Sequence, residues 1–222
     1  YVDYIGTAMM GNDLYTIRKG HEYTPSLVRI DSTGAESVIT SFAHQVSGLR
    51  TAPQNGRIYW SETSSNGRWS MKADSRIRYI YNYGGRKKNI SDTRSLLFNP
   101  GLNEDSSKAA TVEYFPKGGS SLTVIDAYTG NEDYSVAAPE GLQLVETAWI
   151  GNDIYAAAVS DNGYGIYRLK TMGRGLWEAV LSPQPVMIKD FTSHEGELIF
   201  ACDRTGVHEL YHLSPSDGTL RQ

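Results

Sequence analysis

At 222 residues the chain suits one large all-β domain or two small ones, and it is long enough to bury a core without a metal or disulfide staple. The formal net charge is −4 and the basic residues are dispersed, with Arg86-Lys87-Lys88 the nearest thing to a cluster, which argues against a nucleic-acid surface. A single cysteine, Cys202, excludes an internal disulfide, and no apolar run approaches the ~20 residues of a membrane-spanning helix.

The chain opens at Tyr1-Val2-Asp3-Tyr4 with neither initiator methionine nor signal segment, as expected of a mature chain or a piece of a longer protein. One phrase then recurs: a turn, an apolar strand, a polar hairpin, a second strand closing on a glycine, and a short outer strand. The first unit, 4–40, has the turn Gly11-Asn12-Asp13, strands over 14–17 and 26–31, Gly34 and an outer strand over 37–40. The second, 46–91, adds an innermost strand over 49–52 before the turn Pro53-Gln54-Asn55-Gly56, then strands over 57–61 and 76–81, Gly85, and an outer strand over 88–91. The third, 96–137, repeats it with strands at 97–100, 110–114, 122–126 and 134–137, and Gly130. The fourth, 142–181, has strands at 145–149, 154–159, 166–170 and 177–180, and Gly173. The fifth, 186–222, has strands at 188–191, 198–202 and 209–213, and Gly218.

The closing glycines recur at about 43–51 residues, the period of a four-stranded propeller blade. Short strands rich in Val, Ile, Tyr and Thr between Gly, Asn, Asp and Pro turns specify an all-β protein, and no window carries a capped helical period. A β-sandwich would not repeat one phrase five times. The fold expected is therefore a β-propeller of about five four-stranded blades filling 1–222. The fifth unit ends where its outer strand should begin. Either residues 1–5 supply that strand and close a five-bladed ring, or the chain is a fragment of a larger propeller; an open ring would leave unpaired edges, which favours closure.

The fifth unit carries the phrase best, as Leu198-Ile199-Phe200-Ala201-Cys202-Asp203-Arg204-Thr205-Gly206-Val207 followed by Glu209-Leu210-Tyr211. This resembles the repeats of TolB-like propellers, relatives of the WD-repeat propellers, over essentially the whole chain. The turn departs from that family's Ser-Pro-Asp-Gly, which stands here as Pro53-Gln54-Asn55-Gly56. The second unit, with Tyr59-Trp60-Ser61-Glu62 and Arg68-Trp69, is similar to TolB-like proteins of Bacteroidetes type. The resemblance implies a protein-binding propeller without catalysis, exported to the periplasm or associated with the cell envelope.

Each chemical motif has a competing structural explanation. His208-Glu209-Leu210-Tyr211-His212 spells H-E-x-x-H, but on a strand its two histidines stand ~13 Å apart, too far to share a zinc ion. No G-x-S-x-G elbow is present, so a peptidase reading needs a hydrolase domain elsewhere in a longer chain. Glu146 and Asp190, on innermost strands, are the carboxylates a five-bladed glycosidase would use; as structural residues they would line a hydrated channel. Cys202 lies in an apolar run and reads as a core residue.

The loops remain. The hairpin between the second and third strands of each blade and the crossover to the next blade open on one face. The expected binding residues there are Arg68 and Trp69 on the longest hairpin, His44 and Arg94 on crossovers, and Asp203 and Arg204 on the fifth hairpin, since Trp and Arg on rigidly mounted loops dominate binding energetics. The expected partner is a protein, or a glycan or peptide, with no cofactor, metal or catalytic residue. The alternatives are an accessory propeller of a larger peptidase and a five-bladed glycosidase.

Overall fold

In a computed structural model, which describes residues 1–65, 68, 73–91, 96–170 and 176–222, the apolar runs form strands and the Gly/Asn/Asp clusters form the turns between them. The result is five four-stranded antiparallel sheets, the blades of a five-bladed β-propeller, with no helix among the described residues. The middle strands are buried on both faces because a blade is covered on both sides. They therefore read as continuous apolar runs, whereas the outermost strands are largely exposed.

The chain divides into two compact units, Tyr1–Pro100 and Gly101–Gln222. The first holds β1 (Val2–Met10), β2 (Asp13–Gly20), β3 (Tyr23–Ile30) and β4 (Glu36–Ser41), paired in that order. It also holds the second blade, β5 (Gln45–Ala52), β6 (Arg57–Ser65), β7 (Ala73–Tyr81) and β8 (Gly84–Asn89). Trp60, Leu27, Leu49, Ile58 and Phe42 make its core, and the Phe42 ring meets Trp60 edge-on with centroids 5.4 Å apart. The Trp60 indole donates from Nε1 to Glu62 Oε2 at 3.3 Å, and Arg78 pairs with Glu62 Oε1 at 2.6 Å. Tyr59-Trp60-Ser61-Glu62 is thus a packing and pairing element of the second blade.

The third blade is β9 (Leu97–Leu102), which carries the division between the units, with β10 (Lys108–Tyr114), β11 (Ser120–Asp126) and β12 (Glu132–Ala137). The fourth is β13 (Gln143–Ile150), β14 (Asp153–Ser160), β15 (Gly163–Lys170) and β16 (Leu176–Gln184). Strand β14 serves two cores at once. Ala157 joins Phe191, Phe200 and Tyr211 on one side, while Ala156 and Ala158 join Leu122, Val124 and Leu144 on the other. Alternate side chains point to opposite faces, and alanine at three successive positions lets a neighbouring sheet approach from either side.

The fifth blade is β17 (Ile188–His194), β18 (Glu197–Cys202), β19 (Glu209–Leu213) and β20 (Leu220–Arg221). This corrects the expectation that residues 1–5 complete it. The chain folds back after Gly218 and supplies its own outer strand, Leu213 opposite Leu220 and His212 opposite Arg221. The N-terminal segment instead is the innermost strand of the first blade, with Val2 opposite Gly20 and Met10 opposite Asp13. The reason is local: Gly11-Asn12 makes a two-residue turn with Gly11 at φ 62, and closing that hairpin costs far less entropy than a partner some two hundred residues away.

Two devices recur. Innermost strands are bulged: Gly6, Val145, the pair Gly48-Leu49 and the pair Asp190-Phe191 interrupt the register with the next strand. Side chains near the ends of these strands then bond the backbone of the preceding blade's innermost strand. Thr51 Oγ1 donates to Met9 O at 2.5 Å in the first unit; Trp149 Nε1 donates to Gly101 O at 2.9 Å and Ser193 Oγ to Trp149 O at 2.6 Å in the second.

Candidate functional site

The hairpins between second and third strands lie at the opposite end of each blade from the turns that follow the innermost strands. Of the expected binding residues, Trp69 and Arg94 lie outside the described residues. In the first unit Arg68 and His44 are exposed, on the β6–β7 hairpin and the β4–β5 crossover. In the second unit Asp203 and Arg204 sit together after β18 and grip the crossover from the fourth blade. Asp203 Oδ1 accepts from Met187 N at 2.7 Å, and Arg204 Nη2 donates to Gln184 Oε1 at 2.6 Å. Asp203 thus also fixes the crossover loop. What its loop presents is Arg204 itself, with Met187 47% and Val207 62% exposed beside it. Composition did not single out Met187 and Val207, because an isolated exposed apolar residue has no sequence signature.

The motifs weighed as chemistry have structural partners. His212 and Glu209 lie on a strand, β19, and His208 precedes it; His212 Nδ1 stands 3.2 Å from Glu197 Oε2 across the sheet. Cys202 is buried in the core of the fifth blade. Glu146 Oε2 accepts from the backbone N–H of Phe191 at 2.7 Å, while Asp190 stands exposed at φ 55 in the β17 bulge. Among the described residues no three His, Cys, Asp or Glu side chains group closely enough to hold a metal ion.

A pocket of about 360 Å³ opens in the second unit at the inner-turn end of the blades. Trp149 and Leu102 contribute apolar wall, and Glu104, His194 and Glu195 stand at the turns around it. In sequence, His194-Glu195-Gly196 reads only as a hairpin turn. The available signal was Glu195 where the first and fourth blades carry Gly11-Asn12 and Gly151-Asn152.

In the second blade a ladder of aromatic and cationic groups runs across one face. Arg57 lies over the Tyr79 ring at 4.4 Å, Lys88 lies over Tyr81 at 5.5 Å, and Tyr81 stacks on the exposed Tyr83 with centroids 5.1 Å apart. The hydrogen bond and charge of Arg57 hold the Tyr81 phenol below its ordinary pKa by favouring the phenolate.

No protein-family model matches the chain, and no curated protein matches it in sequence. Solved structures do share its fold. A protein from Agrobacterium tumefaciens described as TolB superposes with a TM-score of 0.76 at 14% identity, over 98% of this chain and 79% of that one. The acylaminoacyl peptidase of Pyrococcus horikoshii gives 0.63 at 13% identity over all of this chain, which spans 46% of the peptidase. The β-propeller domain of the trilobed protease from Pyrococcus furiosus, described as having an open velcro topology, gives 0.62 at 12% identity over all of this chain and 84% of that one. The fold of this chain is that of the TolB-like and peptidase-borne β-propellers.

Proposed function

We propose that the chain is a non-enzymatic interaction module that binds a protein partner through the hairpin ends of its blades, in the periplasm or at the cell envelope. The observation that carries this reading is the fifth-blade hairpin. Asp203 holds the crossover in place, and the fixed surface offers Met187, Val207 and Arg204 to solvent. Methionine and arginine are enriched in protein interfaces, and a pre-ordered loop loses little entropy on binding. The bond from Phe191 to Glu146 supports the same reading, because it gives one of the two inner-strand carboxylates a structural task. A second reading is favoured by the peptidase-borne propellers among the similar structures: the chain would be the accessory propeller of a larger peptidase and would bind that enzyme's own hydrolase domain.

Photo-cross-linking tests both readings. A benzophenone side chain at position 207 should give a discrete protein adduct in cells, absent when it is placed at Tyr128, in the β11–β12 turn at the other end of a blade. The same diffuse labelling at both positions would refute the interaction reading. An adduct within the same polypeptide, to a hydrolase domain, would establish the second reading.

A further inference from the structure

We infer that the pocket at the inner-turn end of the second unit binds a cationic side chain, the lysine or arginine of a partner peptide. This deepens the interaction reading above and rests on it, but it places a second contact at the opposite end of the blades.

The pocket wall is built around a fixed indole. Trp149 is anchored through its side chain and its main chain: its Nε1 donates to Gly101 O, and its carbonyl accepts from Ser193 Oγ. An aromatic ring held in this way is a pre-organised surface. A cation within about 6 Å of an indole face is attracted by the ring's quadrupole, and the attraction grows as water is excluded. The charged groups around the pocket set the sign of the ligand. Glu104 and Glu195 line it, His194 Nε2 stands 3.7 Å from Glu195 Oε1, and no lysine or arginine is among the described lining residues. An anion would meet like charge, and a neutral apolar group would displace water from the carboxylates without adding a charge to match theirs. A guanidinium or ammonium group can stack on Trp149 while donating charge-assisted hydrogen bonds to the carboxylates.

Backbone conformation supports the placement. The turns at Gly11-Asn12 and Gly151-Asn152 give the positive φ to glycine, whereas Glu195, at φ 49, precedes Gly196 at φ 80 in a turn where both central residues are left-handed. A glutamate there costs some strain relative to glycine or asparagine, and its position brings a carboxylate to the pocket. The volume of about 360 Å³ accommodates one long side chain.

The test is a titration with the peptide Ac-Gly-Arg-Gly-NH2 and its citrulline counterpart, followed through the Trp149 indole N–H resonance. The arginine peptide should shift that resonance saturably, and the citrulline peptide, nearly isosteric but uncharged, should bind at least ~10-fold more weakly. Glu104→Gln and Glu195→Gln, at exposed positions, should each weaken the arginine peptide by about 2- to 10-fold without changing the melting temperature. A non-saturating shift, or equal binding of the two peptides, would overturn the inference. If that happens while the position-207 adduct persists, only the pocket assignment falls. Loss of the adduct with peptide binding intact would remove the hairpin reading and leave the pocket standing.

Discussion

The backbone N–H of Phe191, in the bulge of β17, donates to Glu146 Oε2 on β13 at 2.7 Å, so one carboxylate ties the fourth blade to the fifth. The bulge creates the need for this bond: Asp190 and Phe191 together stand opposite the single residue Phe200, and the Phe191 side chain is fully buried. Glu146→Ala would remove this acceptor from the amide at a cost of ~1–3 kcal/mol, lowering the melting temperature by roughly 3–8 °C. Glu146→Gln keeps an acceptor oxygen and should recover most of that loss. Thermal unfolding followed by circular dichroism measures both; an unchanged melting temperature for the alanine variant would show that water replaces the bond.

Gly48 separates conformational strain from steric overlap. It sits at φ 65, and a Cβ there would lie 2.6 Å from Asn99 Cα, where β5 and β9 approach closely. Gly34 also has positive φ, 84, but a Cβ on it would meet nothing within 4 Å. Gly34→Ala should therefore cost ~1 kcal/mol of left-handed strain, whereas Gly48→Ala adds a backbone clash and should cost roughly 3 kcal/mol or more. Urea unfolding of the two variants, compared by midpoint, checks the order; equal midpoints would mean that β5 and β9 can move apart freely.

Glu62 is buried with a 3% exposed side chain between the Trp60 indole and Arg78. Glu62→Ala removes the ion pair that Arg78 makes with Glu62 and should destabilise the fold by about 3–5 kcal/mol. The double variant Glu62→Ala, Arg78→Ala should lose less than the sum of the two single changes, by roughly 1 kcal/mol or more. A double-mutant cycle in guanidinium chloride reads that coupling directly; strict additivity would count against the pair as a unit.

Asp126 closes the β11–β12 turn, accepting from the backbone N–H groups of Tyr128 and Thr129 and from the Thr129 hydroxyl. Led by the Thr129 backbone bond, these contacts hold its carboxyl below the ordinary aspartate range. A folded-state pKa below the unfolded one means that ionised Asp126 stabilises the fold above the unfolded value of ~3.9, and this contribution disappears as pH falls through the folded value. Asp126→Asn should be less stable than the parent near neutral pH, and the gap should close as pH is lowered from about 6 to about 2. Parallel thermal melts across that range test the sign; a gap that widens on acidification would be inconsistent with a lowered pKa. Asp31 uses the same device in the first blade, accepting from the Thr33 and Ala35 amides.

The repeat and nearly every strand were legible in the residues, because the signals that make them are local. A two-residue turn such as Gly151-Asn152 and an apolar run such as Leu198-Ile199-Phe200-Ala201-Cys202 each state their conformation within a few positions. The expected second and third strands of every blade appear as β2 and β3, β6 and β7, β10 and β11, β14 and β15, and β18 and β19.

Pairing across longer separations was decided only in three dimensions. Residues 1–5 read as a strand but carry no mark of which sheet they join; the short Gly11-Asn12 hairpin settles that by chain entropy. The bond from the Met187 amide to Asp203, an expected binding residue, joins positions sixteen residues apart. Glu146 read as a channel carboxylate, and its bond partner lies forty-five residues on. The pocket at Trp149 gathers turns from three blades that are adjacent in space and not in sequence. A strand's propensity and its turns are properties of neighbouring residues, whereas the partner of a buried polar group depends on which sheets pack together, and that is set by the burial of the whole chain.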